Sequence, residues 1–458
     1  MRRIWSLVFL TVLTFSTVWA EGSKETKGEG SVGAASGFAN KTLNVAVFQG
    51  GYGRDYFDAV AAEFEKDYPG TKINVTASPR IWDVIRPQIV AGNPPDFVYL
   101  SEGDQGGLTV GMIKDRALLD IGDVFEMQAL DQDAKLKDII LPGVLSSRFC
   151  NPYGDGKIYL APYNYVVMGL WYNKNFFDTN GIQVPKTWDE FFALNAVAKK
   201  HGRALFTYQG IYPGYLEEII FPAVWAAGGD EALKAFSNFD PNFWTSDAGK
   251  KTAALLERIG YTDNVLMKGT VALNHTQAQT EFMKGNAMFI VNGSWFESEM
   301  KDAPREEGFQ FGFAGVPSFD PKTPVSCMAS YETFFIPAKA KNPQLAKEFL
   351  RYLYTKKSVR LNGEKASGVM AVKGAVELVK DVITPAAYNT YKAVESGMYP
   401  VAGRWAVLPS NSKLVINDEV YNPIAGIMNR QMTGAEYAAK LDKIWKQARK
   451  EIDAASGQ

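Results

Sequence analysis

Between Thr42 and Leu100 the chain alternates two kinds of hydrophobic spacing. TLNVAVF (42–48) sets Leu43, Val45 and Val47 two apart, the period of a strand. GGYGRD then leads to Phe57, Val60, Ala61 and Phe64, which share one helix face, and Pro69-Gly70 stops that helix. KINVTA, WDVIRPQIVA and DFVYL continue as strand, helix and strand. A β-α-β-α-β start implies a mostly parallel sheet with helices on both faces. Ligands of such sheets sit beyond the carboxyl ends of the strands, so GGYGR (50–54) and SEGDQGG (101–107) are candidate site loops.

A second sheet-and-helix unit follows. GKIYLAPYNYVVMGLWYNK (156–174) reads as extended and aromatic, and PKTWDEFFALNAVAKKHG as an amphipathic helix ended by Gly202. ALFTY and AMFIVNGSW read as strands, TQAQTEFMKG and KNPQLAKEFLRYLYT as helices. The end, from Tyr421 to Ala455, is helical with a break at MTGAE. At 458 residues the chain exceeds the size of one growing core, so two lobes are expected.

The N-terminus has the pattern of a secretory signal. MRR precedes a short apolar stretch and a polar run, and Val18 and Ala20 mark cleavage after Ala20. The stretch is short for a membrane span. Residues 21–40, rich in Gly, Ser, Lys and Glu, read as a flexible tether. Its Gly28, Gly30 and Gly33 match a dinucleotide fingerprint only formally, since no strand precedes them. A net charge of −1 without a basic run argues against nucleic-acid binding. The two cysteines, Cys150 and Cys327, are too few for a disulfide framework; one bridge and two buried thiols both remain open.

Chemistry by inventory is sparse. Only His201 and His275 occur, and there is no HExxH, GxSxG, Walker loop or CxxC. No cofactor or metal is therefore called for. Paired carboxylates such as Glu102 with Asp104, or Glu217 with Glu218, keep a secreted glycoside hydrolase open as an alternative. Aromatic and amide-rich segments at loop positions stand out instead: YNYVVMGLWY (163–172), YQGIYPGY (208–215), NGSWFE (292–297), YETFF (331–335) and GRWAVLP (403–409). Aromatic faces cover the C–H faces of a pyranose, while amides, carboxylates and phenols satisfy its hydroxyl rim. In 208–215, Gly210, Pro213 and Gly214 hold an irregular loop from which the rings could point into a cleft.

YNKNFFDTNGIQVPKTWDEFFAL, FMKGNAMFIVNGSW and PAKAKNPQLAKEFLRYL, in that order, resemble the extracellular solute-binding proteins of family 1, which serve carbohydrate ABC importers. YQGIYPGYLEEII and HTQAQTEFMKGNAMFIVNGSWFESEM resemble the subgroup that binds N-acetylglucosamine and N,N′-diacetylchitobiose. The resemblance implies an α/β, two-lobe periplasmic-binding-protein fold of type II, similar to maltose-binding protein, each lobe a mixed sheet flanked by helices with the ligand cleft between. It implies an N-terminal lobe of 41–164 and 331–384 and a C-terminal lobe of 165–330 and 385–458, with chain crossings near 164–166, 328–331 and Thr384. It also implies a periplasmic monomer that binds a sugar, does no chemistry and meets ABC permease subunits; a cellodextrin or maltodextrin is the alternative ligand. The lack of a cysteine near the cut departs from lipid-anchored members, so a protein that is not lipid-anchored is expected.

By position the ligand-binding residues become Tyr52, Glu102, Asp104, Tyr163, Asn164, Tyr165, Gln209, Tyr212, Tyr215, Trp295, Glu332 and Trp405, with Trp295 and Trp405 as stacking platforms. The Glu102–Asp104 loop departs from the pattern, because Leu100 stands where sugar-binding members carry an aromatic.

Overall fold

A computed structural model of the chain describes residues 37–100, 104 and 106–457. The expected signal at 1–20, cleavage after Ala20 and most of the tether lie outside the described residues. Among the described residues nine strands form one sheet: β1 (Thr42–Phe48), β2 (Lys72–Ser78), β3 (Phe97–Tyr99), β4 (Ala161–Asn173), β5 (Ala204–Thr207), β6 (Ala287–Gly293), β7 (Phe311–Gly315), β8 (Ser326–Phe335) and β9 (Tyr399–Val401). Their order is β2-β1-β3-β8-β4-β6-β5, with β7 on β4 and β9 on β8.

The strand–helix–strand spacing of 42–100 gives the parallel β2-β1-β3 block, with the connecting helix at Asp55–Asp67 burying Phe57, Val60, Ala61 and Phe64. The 187–201 pattern folds as two short helices, Trp188–Ala193 and Asn195–Lys200. Thr187 and Glu190 build a reciprocal cap on the first, satisfying amides that the helix start leaves free.

β4 and β8 are the long strands, and they run antiparallel through both halves of the molecule. Ala161 and Pro162 pair with Phe334 and Thr333, and after a register shift Tyr165–Met168 pair with Met328–Tyr331. At one end Tyr163 and Phe334 join a core made with the helices Asp55–Asp67, Pro343–Leu353 and Lys356–Ala366. Toward the other, Met168 and Leu170 join a second core with the long helices Glu217–Ser237, Asp247–Tyr261 and Gly434–Ser456. Two lobes thus share one sheet, and the crossing strands are its spine. Cys150 and Cys327 are buried free thiols, which settles the cysteine question as two thiols. Among the described residues no helix is long and apolar enough to cross a membrane.

Candidate functional site

The lobes meet where the loops after β1 and β6 face each other. Gly293 ends β6 because the ring of Trp295 folds back over it: a Cβ there would lie 2.0 Å from Trp295. Trp295 is half-buried and packs against both large cores. From the other lobe comes the loop after β1, with Gly51 against Trp295 and the Tyr52 ring 6.3 Å from that of Tyr163. A cleft of about 410 Å³ opens here, lined by Gly51, Tyr52, Gly53, Glu297, Lys301 and Arg305 among others.

Beneath this junction lies a cluster of phenols around one carboxyl group. Burial pushes Glu332 up to about 7, although a hydrogen bond with Tyr99 pulls it back. Its Oε2 has no hydrogen-bond partner, and neither has the buried hydroxyl of Tyr52. Burial raises the Tyr52 phenol, and nearby Tyr391 and Glu332 raise it further. Tyr391 ties the crossing strand to the β6 loop: its hydroxyl is 2.9 Å from the Tyr165 carbonyl, to which it donates, and 3.0 Å from Ser294 Oγ. Tyr165 itself stacks on Tyr331, with centroids 5.5 Å apart and planes 24° apart.

On the second lobe, YQGIYPGYLEE does not continue β5 but turns into a 3-10 segment, Pro213–Leu216, ahead of the helix at Glu217. Tyr212 and Tyr215 are half-buried, and the Tyr212 ring lies 5.7 Å from His275. Burial raises the Tyr215 phenol, with the carboxylates of Glu299 and Glu218 adding to it. Gln209 is fully buried and donates from Nε2 to the Val291 carbonyl at 2.9 Å. Burial pushes Glu217 up to about 7 while Tyr421 donates to it at 2.9 Å, and burial raises Glu218 as well.

The structure therefore brings Tyr52, Tyr165, Trp295 and Glu332 to one junction, and groups Gln209, Tyr212 and Tyr215 on one loop. Other expected residues point elsewhere in this conformation. Tyr163 is a core residue, stacked on Tyr56 at 5.8 Å, and its hydroxyl donates to Asn362 at 2.5 Å. Asn164 accepts from Asn362 Nδ2 at 2.7 Å and is likewise fully buried. Trp405 packs among Phe221, Phe236, Phe239 and Trp445, with centroids 4.8 to 5.8 Å away, and donates to Asn417 at 3.1 Å. There it is half-buried, packed against the edge of the second core. Asp104 spends both carboxylate oxygens on the amides of Leu108 and Thr109, at 3.0 Å each, at the start of a helix (Leu108–Lys114). Glu102 lies outside the described residues.

Sequence reasoning missed Gly51, Ser294, Tyr391 and a second bridge between the lobes. In that bridge Arg148 donates to Asn238 at 2.5 Å, and the Arg404 guanidinium lies 4.4 Å above the Phe149 ring. Burial pulls Arg404 down to about 9. Gly51, Ser294 and Arg404 each lay in a segment singled out for other residues, GGYGR, NGSWFE and GRWAVLP, whereas Tyr391 carried no signal. Among the described residues no group of His, Cys, Asp and Glu could hold a metal ion. What the junction offers is rings, amides, phenols and carboxyls: the means to hold a polar ligand with apolar faces.

Residues 50–360 match the family described as bacterial extracellular solute-binding protein. The chain is 31% identical over 366 residues to the diacetylchitobiose binding protein NgcE of Streptomyces coelicolor, covering 78% of this chain and 75% of that protein. It is 26% identical over 330 residues to a galactooligosaccharide-binding protein of Bacillus subtilis, covering 69% of each. Among solved structures, apo RafE from Streptococcus pneumoniae superposes with a TM-score of 0.68 at 18% identity, covering 93% of this chain and all (100%) of that one. A chitin oligosaccharide binding protein superposes with a TM-score of 0.66 at 18% identity, covering 90% and 100%. The shared sheet, the two cores and the extent of these matches lead to one conclusion: the chain belongs to the bacterial extracellular solute-binding protein family.

Proposed function

We propose that this protein is the periplasmic substrate-binding component of a carbohydrate ABC import system. It would take N-acetylglucosamine or a short chitooligosaccharide such as diacetylchitobiose between its lobes and present the closed form to the permease. The observation that carries the reading is its similarity to a diacetylchitobiose binding protein over 78% of the chain. The half-buried rings of Tyr212, Tyr215 and Trp295 at loop positions support it, because they offer faces for stacking on a pyranose. In this reading the lobes are 41–164 with 331–384 and 165–330 with 385–458, and a ligand touching both favours closure. No step of chemistry is assigned to it.

The test is alanine substitution of Tyr212, Tyr215 and Trp295, singly, with sugar affinity read by calorimetry. Loss of about tenfold or more in at least one variant is expected. Unchanged affinity in all three would refute the site. A second reading, a binding protein for another oligosaccharide, draws on the galactooligosaccharide-binding relative and is separated by which sugar binds.

A further inference from the structure

Three amides of the second lobe, Gln209, Gln279 and Asn292, are buried with a polar atom left unpaired. Gln209, two residues past the end of β5, reaches β6 through its side chain, which bonds the carbonyl of Val291, the residue before Asn292. Alternation along β6 puts Asn292 on the face of Ile290. Ile290 packs with Ala278 and Phe282 of the helix His275–Met283 and with Phe296. Gln279, the neighbour of Ala278, is the third amide. All three side chains are fully buried.

A fixed neighbour sets the polarity of each amide. Gln209 Nε2 donates to the Val291 carbonyl at 2.9 Å, and flipping the amide would set oxygen against oxygen. The Gly293 amide donates to Asn292 Oδ1 at 2.8 Å, so the NH₂ group of Asn292 is left over. Gln279 Nε2 donates to Glu299 at 2.8 Å. What remains is two acceptors, Gln209 Oε1 and Gln279 Oε1, and one donor, Asn292 Nδ2, each without a hydrogen-bond partner. Leaving such atoms unpaired is costly, so a molecule that pairs them gains.

We infer that Asn292 and Gln209 form a clamp for the acetamido group of an N-acetylated sugar, an inference that rests on the amino-sugar reading above. Asn292 Nδ2 donates to the acetyl carbonyl and Gln209 Oε1 accepts the N–H. The apolar wall of Ile290, Phe282 and Phe296 receives the methyl group, which a hydroxyl in the same place would lack.

The experiment is calorimetric titration of the full chain, Asn292→Asp and Gln209→Met with diacetylchitobiose, and with cellobiose by competition. Asn292→Asp keeps the acceptor for Gly293 and turns the free donor into a second acceptor. The wild type is expected to prefer diacetylchitobiose. Each variant should lose about tenfold or more of that affinity, with cellobiose binding moved by less than about threefold. Melting curves identify a variant that fails to fold, and the other then carries the test. A folded variant that keeps the wild-type preference, or loses both sugars equally, overturns the clamp alone. A wild type that does not distinguish the two sugars overturns the clamp and the amino-sugar reading together.

Discussion

Gly51 and Trp295 touch across the two lobes: a Cβ built on Gly51 would sit 3.4 Å from the Cβ of Trp295. The lobes close here over almost no side chain on one side, so the gap between them is set by a backbone and a ring. A leucine at Gly51 would hold the lobes apart at this point. Gly51→Leu is expected to lower sugar affinity about tenfold, because contacts from both lobes cannot then be made together. Titration calorimetry with melting curves of the unliganded protein checks this; unchanged affinity would show that the Gly51–Trp295 contact does not gate binding.

Glu332 gives the fold a pH dependence of defined sign. Burial raises its carboxyl from 4.5 to about 7. The unfolded chain gives up this proton from about pH 4.5 upward, whereas the folded chain holds it until about 7. Stability therefore falls across that window, by on the order of 3 kcal/mol for this group, and levels off above it. Glu217, also raised to about 7, acts in the same direction. Glu218 is raised as well; denaturant midpoints at several pH values should show the decline, and Glu332→Gln should make it shallower without abolishing it. An equally steep decline in that variant would place the proton elsewhere.

Trp405 is expected to report on stability first. Its half-buried ring packs on Phe221, Phe236, Phe239 and Trp445, so Trp405→Ala strips aromatic contacts from the edge of the second core. The expected cost is about 3 kcal/mol. Tyr212, half-buried on its loop, should cost much less when replaced by alanine while lowering affinity more. Melting temperatures and titrations of the two variants, side by side, separate core from site.

An ion pair inside the second lobe makes an independent check on the fold. Arg203 grips Glu306 with two nitrogens, at 2.9 and 2.7 Å; Asn173 donates to the same carboxylate at 2.6 Å. The guanidinium lies 3.7 Å over the Phe176 ring. Glu306→Ala leaves that cation without its partner and should cost about 3 kcal/mol, read from denaturant unfolding. A cost near zero would mean that water replaces the carboxylate.

Period and spacing made the first lobe legible. Strand period 2 shows in β1 because Leu43, Val45 and Val47 fill one core while the small Asn44 and Ala46 alternate with them, and helix period 3.6 shows because Asp55–Asp67 buries one face. β4 hid its roles for the opposite reason. It is buried along almost its whole length, so no alternation tells Tyr163, which faces a core, from Tyr165, which lies at the junction. Trp405 was ambiguous because an aromatic between Gly403 and Pro409 fits a core seat and a loop equally well in sequence, and the fold leaves it half-buried against Phe239. Tyr391 was invisible. It sits on an ordinary helix, Pro385–Glu395, and only the fold brings its hydroxyl to Tyr165 and Ser294.

The most direct test of the central claim is calorimetric titration of ligand-stripped protein, residues 21–458, with N-acetylglucosamine, diacetylchitobiose, glucose, cellobiose and maltose, followed by analysis for hydrolysed sugar. One-to-one binding of an N-acetylated sugar in preference to the others, with no product formed, is the predicted result. Preferential binding of maltose or cellobiose would contradict the amino-sugar assignment, and released product would contradict the transport reading itself.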